Sequence, residues 1–584
     1  MAILNQINIL MGGEAGQGII ISSLTLAKTF SRGGLYTFVL NEYPKTIRGL
    51  HNWCSIRVNA NPLTSHTHQI DLVIALNKDT VSLHQEELKT ARGLIYDPKD
   101  LNPAELLKGY DQLKTYAVPL NRMIKSLKAE SQMRNSITIG AALSLVKYDF
   151  GILADLLREM FQRKGDAIVQ SNIDLAHTGY QHIQEHYPED FGITIEKQTN
   201  APPLMLLSGN EAAAMGAIRA GVKLLAAYPM TPTSSIIHYL AARQEKYNLV
   251  VKHTEDEIAA VNMAIGGNFA GVRSFACTSG GGFALMTEAL GLAAQSETPL
   301  VLFVGQRPGP STGQPTHTSQ GDLRCLIHAS QGEFPRIVIV PGDHADCFYE
   351  TWQAFNLAER FQVPVLVLSD KYLGESYCCS PRFDTAKMKI DRGKLLPEAE
   401  TEKLQDYRRY QITADGISPR TIPGQKGGRH IATSYEHDEK GFYADSFCGV
   451  TKMADKRAKK LAAIEASLPQ PKEFGAKQAD ITIIAWGSTK GVILEALDLL
   501  AAEGIKVNYH QIVYIWPFPA KYVQAVLRSA PQIVTVENNQ TAQLAGLIRE
   551  HTGFEVKHRC LKYDGQPFYP REIHSFIKGI TGHD

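Results

Sequence analysis

Residues 249–271 read LVVKHTEDEIAAVNMAIGGNFAG. A short apolar run ends at His253-Thr254, three acidic residues follow (Glu255, Asp256, Glu257), and then comes a segment crowded with Ala and Gly. The run suits a strand and the last segment suits a helix, Ile258–Ala270, able to pack closely on a neighbour. Together they make one βα unit. The pattern recurs on both sides. LMLLSG from Leu204, LLAAYP, RSFACTS, PLVLFVG, RIVIVP and VPVLVLS are apolar runs separated by helical patterns. Continuous runs of this kind mark strands whose two faces are both covered in a parallel sheet. They predict one domain over residues 204–380.

Working outward, residues 1–190 show the same rhythm. Ile7–Met11, Tyr36–Leu40, Asp71–Leu76 and Gly93–Tyr96 are candidate strands, and Ile19–Phe30 is a helix behind a glycine-rich turn. The polar, proline-flanked stretch Tyr187–Pro203 reads as a link between domains, with residues 191–203 as the linker proper. From 381 to 474 the periodicity fails. That segment is expected to be an irregular connector with one exposed helix, the basic stretch Lys452–Lys460 (KMADKRAKK) forming its solvated face. A third βα series occupies 475–584, with ITIIAWG, VNYHQIV and QIVTVEN as strands. The fold class is therefore α/β, built from several doubly wound parallel-sheet domains.

The chain has 584 residues, 44% hydrophobic and 20% charged, and its 60 basic and 59 acidic residues nearly cancel. That balance argues against a nucleic-acid scaffold or a membrane-surface binder. No apolar run approaches the roughly 18 residues needed to span a bilayer. The N-terminus lacks the basic region and cleavage pattern of a signal peptide. The eight cysteines (54, 277, 325, 347, 378, 379, 448 and 560) form no CxxC, so no zinc or iron–sulfur site is expected from this chain alone. A reduced, cytoplasmic setting fits them best.

Several βα corners carry functional groups. Gly12–Gly18 (GGEAGQG) is either a tight turn needing positive φ or a dock for an anionic group. Tyr228–Ser234 (YPMTPTS) puts hydroxyls at the carboxyl edge of the second sheet, where open α/β sheets bind ligands, although Thr233 or Ser234 also suits a helix N-cap before Ser235–Tyr247. Glu257 is either a functional carboxylate or the closing residue of a capping box with Thr254. Thr278–Gly282 (TSGGG) either holds a ligand ring against bare backbone or merely turns. Arg307, at the end of PLVLFVG, is suited to gripping a carboxylate or is an ordinary loop arginine. Their convergence on one sheet edge is the usual layout of an α/β active site.

At these motifs the chain resembles the 2-oxoacid:ferredoxin oxidoreductases, specifically the α subunit of the two-subunit type with a fused γ-like domain, and most of all the 2-oxoglutarate enzymes. GGEAGQGI with NEYPKTIRG (residues 41–49) is similar to the γ domain. YPMTPTS resembles the family's YPITPSS element. EDEIAAVNMAIGGNFAG with TSGGGFALM resembles the thiamine-facing segment, and QRPGPSTGQPT the substrate loop. EHDEKG and VENNQTAQLAGLI resemble its connector and last domain. Two positions depart from the pattern: Gly281 stands where the family usually has Pro, and Met230 where it has Ile.

The resemblance implies a γ-like domain (1–190), a thiamine-pyrimidine-binding domain (204–380) and a transketolase C-terminal-like domain (475–584). It implies thiamine diphosphate shared with a β subunit, Glu257 against the pyrimidine (Glu255 if the register is offset), and Pro229, Ser279 and Gly280 beside the cofactor. Thr231, Arg307 and Thr316 would contact substrate. No metal ligand is expected here, since Gly342-Asp343-His344 lacks the second Gly of the family's GDG motif. Mg²⁺ and a [4Fe–4S] cluster would belong to the β subunit. The reaction implied converts 2-oxoglutarate and coenzyme A to succinyl-CoA and CO₂, with ferredoxin as acceptor, in an (αβ)₂ heterotetramer. In reverse it would fix CO₂, as in a reductive tricarboxylic cycle. The alternatives are the same chemistry on pyruvate or a branched-chain acid, a non-redox enzyme of the transketolase kind, and a non-catalytic assembly subunit.

Overall fold

The computed structural model describes residues 3–44, 49–102, 109–110, 112–127, 129–130 and 133–582. Residues 45–48 of the NEYPKTIRG motif lie outside them. The chain forms two compact units, residues 1–207 with 375–383, and residues 208–374 with 384–584.

The first unit holds an eight-stranded sheet. Lys114–Ala117, Gly93–Tyr96, Leu72–Ala75 and Gln6–Glu14 run parallel, as the βα rhythm predicts. The rest of the sheet departs from that expectation. His51–Asn59, a strand not anticipated from the sequence, is antiparallel to both Gln6–Glu14 and Tyr36–Glu42. Its HNWCSIRVN sequence mixes polar and apolar residues, unlike the continuous runs of the parallel strands. Leu204–Ser208, read above as the opening strand of the second series, ends this first sheet beside Tyr377–Pro381. The Gly12–Gly18 turn adopts positive φ at Gly16 and Gly18, and Gly18 begins the helix Ile19–Arg32.

The second unit contains a seven-stranded sheet in the order Val250–His253, Leu224–Ala227, Ser274–Ser279, Leu300–Gln306, Pro364–Asp370, Ile337–Ile339, Tyr514–Trp516. All neighbours are parallel except the last pair. The strands Ser274–Ser279, Leu300–Gln306 and Pro364–Asp370 are wholly buried, which explains their apolar sequences, whereas the edge strand Val250–His253 is largely exposed. Residues 472–561 add a five-stranded sheet. One continuous apolar core joins the two sheets, from Phe283 and Leu302 through Trp486 to Leu547. Asp343-His344 serves this junction: Asp343 caps the helix His344–Phe361, and Lys490 of the third series pairs with Asp343 and Asp346.

The connector corrects one expectation. Its helix, Phe447–Ser467, exposes only one face of the basic stretch, with Lys452 and Lys459 outside and the other face buried. Lys456 and Lys460 are 0% and 1% exposed, on one face with Met453, Arg457 and Ile464. Both lysines pair with buried Glu297, which follows the helix Gly280–Gln295. Burial pushes the Glu297 carboxyl up, but Lys460, Lys456 and Arg409 outweigh it and hold the group well below the carboxylate range. A second buried carboxylate, Glu359 on the helix His344–Phe361, gathers Arg273, Arg392 and Arg420 at 2.8–2.9 Å. The irregular connector is thus held by ion pairs rather than by an apolar stripe. Replacing Glu297 by Ala strands its cations in the interior. The change is expected to cost about 3–5 kcal/mol, read as a lowered urea midpoint; a loss under about 1 kcal/mol would contradict the buried pairing.

Candidate active site

The helix after Val250–His253 begins two residues later than a Thr254 capping box requires. Asp256 is the N-cap, its carboxylate accepting from Ala259 N at 2.7 Å, and Thr254 Oγ1 donates to the Asp256 carbonyl. Glu257 is therefore released from capping. It is the first residue of the helix Glu257–Phe269, it is 3% exposed, and its Oε1 has no hydrogen-bond partner among the described residues. Glu255 is exposed. A buried carboxylate without a donor is costly, and this cost is what marks the position.

Glu257 faces the start of the helix Gly280–Gln295. A methyl group placed on Gly282 would sit 2.0 Å from Thr278 Oγ1 and 2.6 Å from Glu257 Oε1. On Gly280 it would sit 2.1 Å from Asp322 Oδ2. Glu257 Oε1, Thr278 Oγ1 and Asp322 Oδ2 are all buried and unpartnered. Three unmatched polar atoms thus border one bare glycine turn. Gly281, by contrast, lies within the helix, and a Cβ there would meet only Ser311 O, at 3.8 Å, so the position has room for a side chain. Ser279 is the N-cap residue but donates its hydroxyl to Met230 Sδ.

The YPMTPTS segment lies beside this turn. Asn210 donates to the Pro232 carbonyl and Ser235 Oγ, both at 2.8 Å. Glycine at 305 lets the segment rest on the central strand: a methyl there would lie 2.8 Å from Pro232 Cγ and Thr233 Cγ2. Thr233 occupies the N-cap position without making the cap hydrogen bond. The predicted helix is split into Ser234–Ala241 and Gln244–Tyr247. Pro229 is exposed. Arg307 Nη1 donates to the Thr231 carbonyl at 2.8 Å, so the structure brings these two residues together. Thr316 is buried within the loop that Arg307 opens.

That loop is anchored at both ends. Gln306 accepts from Asp322 N at 2.9 Å and donates to the Ser369 carbonyl. Gln320 exchanges backbone and side-chain bonds with Asn538 and donates to the Trp486 carbonyl. The VENNQTAQ element therefore acts as the loop's anchor. The sequence reading assigns Asp322 no role. Its signal in the sequence is an acidic residue at a loop-to-helix junction, just before the helix Leu323–His328, a pattern shared with many plain N-caps. Burial raises its carboxyl to about 6, against the lowering effect of Arg307. Burial likewise lowers Arg307, with Asp322 opposing.

The site can hold a cationic or hydrogen-bond-donating ring against the bare turn beside Glu257, and an anion at Arg307. That chemistry fits thiamine diphosphate and a 2-oxo acid. Residues 215–456 match the family described as pyruvate flavodoxin/ferredoxin oxidoreductase, thiamine diP-binding. Residues 8–182 match pyruvate ferredoxin/flavodoxin oxidoreductase, and 479–582 its core domain II. The α subunit of a 2-oxoacid:ferredoxin oxidoreductase from Saccharolobus solfataricus is 32% identical over 99% of this chain and 98% of its own. The 2-oxoglutarate synthase subunit KorA of Methanothermobacter thermautotrophicus is 32% identical over 64% of this chain and 97% of its own. The solved 2-oxoglutarate:ferredoxin oxidoreductase from Magnetococcus marinus, with 2-oxoglutarate, coenzyme A and succinyl-CoA bound, superposes with a TM-score of 0.90. It is 31% identical and covers 98% of this chain and 99% of its own. With a relative 32% identical along 99% of its length and a solved relative superposing over 98% of it, the chain belongs to the 2-oxoacid:ferredoxin oxidoreductase family, among the α subunits.

Proposed function

We propose that this chain is the α subunit of a coenzyme A-acylating 2-oxoglutarate:ferredoxin oxidoreductase, working in the cytoplasm with a β subunit and ferredoxin. The observation that carries the reading is the unpartnered Glu257 Oε1 at a glycine turn that no side chain fills. Full-length similarity to the Magnetococcus marinus enzyme favours 2-oxoglutarate over pyruvate or a branched-chain acid. The chemistry that thiamine diphosphate supplies when bound is attack on the 2-oxo carbon and uptake of the electron pair left by CO₂.

This chain's residues prepare that chemistry. Glu257 Oε1 holds a proton against the pyrimidine nitrogen N1′. Gly280 and Ser279 let the ring approach backbone, with Pro229 at the neighbouring strand end. Arg307 binds the substrate carboxylate, while the Thr231 hydroxyl meets the 2-oxo oxygen and Thr316 shapes the loop around it. The helices carrying Glu257 and Gly280 expose Ile258, Met263 and Leu285, and the strand before Glu257 exposes Val250. An apolar face on the site-bearing helices is a docking surface for the β subunit. That subunit would bring Mg²⁺, the diphosphate site and the [4Fe–4S] cluster, in an (αβ)₂ assembly.

Glu257→Gln in the reconstituted complex is expected to lower 2-oxo-acid-dependent reduction of a viologen dye roughly a hundredfold or more. Near-normal turnover would defeat the assignment. Under one set of conditions, kcat/KM for 2-oxoglutarate is expected to exceed that for pyruvate and for branched-chain acids; preference for pyruvate would move the chain to the alternative substrate. Full activity in both Thr231→Ala and Arg307→Ala would favour a non-catalytic assembly role instead.

A further inference from the structure

We propose that Asp322 is the resident counter-charge of Arg307 and weakens the site's grip on a substrate carboxylate, so that it tunes affinity without touching the reacting carbon. The inference rests on the reading of Arg307 given above. Asp322 is placed by its backbone: Gln306 holds its N–H, and the side chain lies along bare Gly280. Its Oδ2 is buried and unpartnered, so the carboxylate is neither a helix cap nor part of a closed ion pair. Arg307 is meanwhile tied to the Thr231 carbonyl by one nitrogen. The two charges feel one another without a direct bridge. A substrate carboxylate drawn to Arg307 therefore meets the field of Asp322 as well.

The charged and titratable groups around Asp322 are few. Its own loop brings Arg307, and its own helix brings Cys325, which burial and, secondly, Asp322 push up. Arg324 is half-exposed and paired with Glu550. Across the turn stands Glu257, beside Gly282. The first turn of the helix Gly280–Gln295 carries no acid. The third series presents Gln543, an amide, to Gly321 and Arg324. Burial sets the Asp322 carboxyl near 6. Above that pH it is charged and repels an incoming carboxylate; below it, protonation removes the repulsion.

The test is KM and kcat of the purified complex for 2-oxoglutarate from pH 5.5 to 8, with calorimetric binding of 2-oxoglutarate in the absence of coenzyme A and acceptor. In the wild type, KM is expected to rise with pH through about 6. Asp322→Asn is expected to flatten that rise and tighten binding about five- to tenfold at pH 8, the scale of two unit charges a few ångströms apart in a partly wet site, with kcat within about twofold. Asp322→Glu is expected to keep the slope. Weaker binding in Asp322→Asn, or an unchanged slope, would overturn the proposal, as would a flat profile in Asp322→Glu. Arg307→Ala separates the two layers. If it raises KM while Asp322→Asn changes nothing, the role of Asp322 alone fails. If it leaves KM unchanged, the reading of Arg307 fails, and the proposal with it.

Discussion

A carboxylate taken out of water must find a donor, and Glu257 has one oxygen that finds none among the described residues. The position is not accidental. Asp256 takes over the capping of the helix, so that Glu257 is carried inward toward Gly282 and Thr278. Any side chain at Gly282 would close the space that Glu257 enters. The edge strand Val250–His253 and the buried strand Ser274–Ser279 fix where the two helices start. Strand, cap and glycine turn together place a buried acid at the carboxyl edge of the sheet, the edge at which open α/β sheets receive ligands.

Around that point the rest of the second unit acts as a brace. Gln306 and Gln320 hold the loop that Arg307 opens by its two ends, one on the central sheet and one on the element that includes Asn538. The connector is clamped by two buried carboxylates. Glu297 stands just beyond the helix Gly280–Gln295, and Glu359 stands on the helix His344–Phe361. Breaking such a cluster leaves charges with no partner, which costs far more than the intact cluster contributes. The same helix that begins at the glycine turn therefore leads, at its other end, to the clamp on the connector.

Much of this is legible in the residues. Strands 274–279, 300–306 and 364–370 are unbroken apolar runs because both faces are covered, and the Ala/Gly helix after Glu257 reads directly. The gathering of Thr231, Arg307 and the glycine turn on one edge follows from their places after successive strands. Other features are not local. Thr254 and Asp256 are both good N-caps, and only the tertiary arrangement selects Asp256. Lys456 and Lys460 look like any solvated basic face, because the acid that buries them lies 159 residues away from the first of them in sequence. His51–Asn59 joins the first sheet antiparallel on both sides, so its pairing is decided by neighbours. Asp322 resembles an ordinary cap, and its free oxygen appears only once Gly280 is seen beside it.

The central claim is that this polypeptide supplies one wall of a catalytic pocket and that a companion completes it. The direct measurement is 2-oxoglutarate-dependent reduction of a dye acceptor by the isolated chain, loaded with thiamine diphosphate, Mg²⁺ and coenzyme A, beside the same chain reconstituted with its β subunit. The account predicts no turnover above background for the chain alone and full turnover on reconstitution. Full-rate turnover by the isolated chain would contradict it.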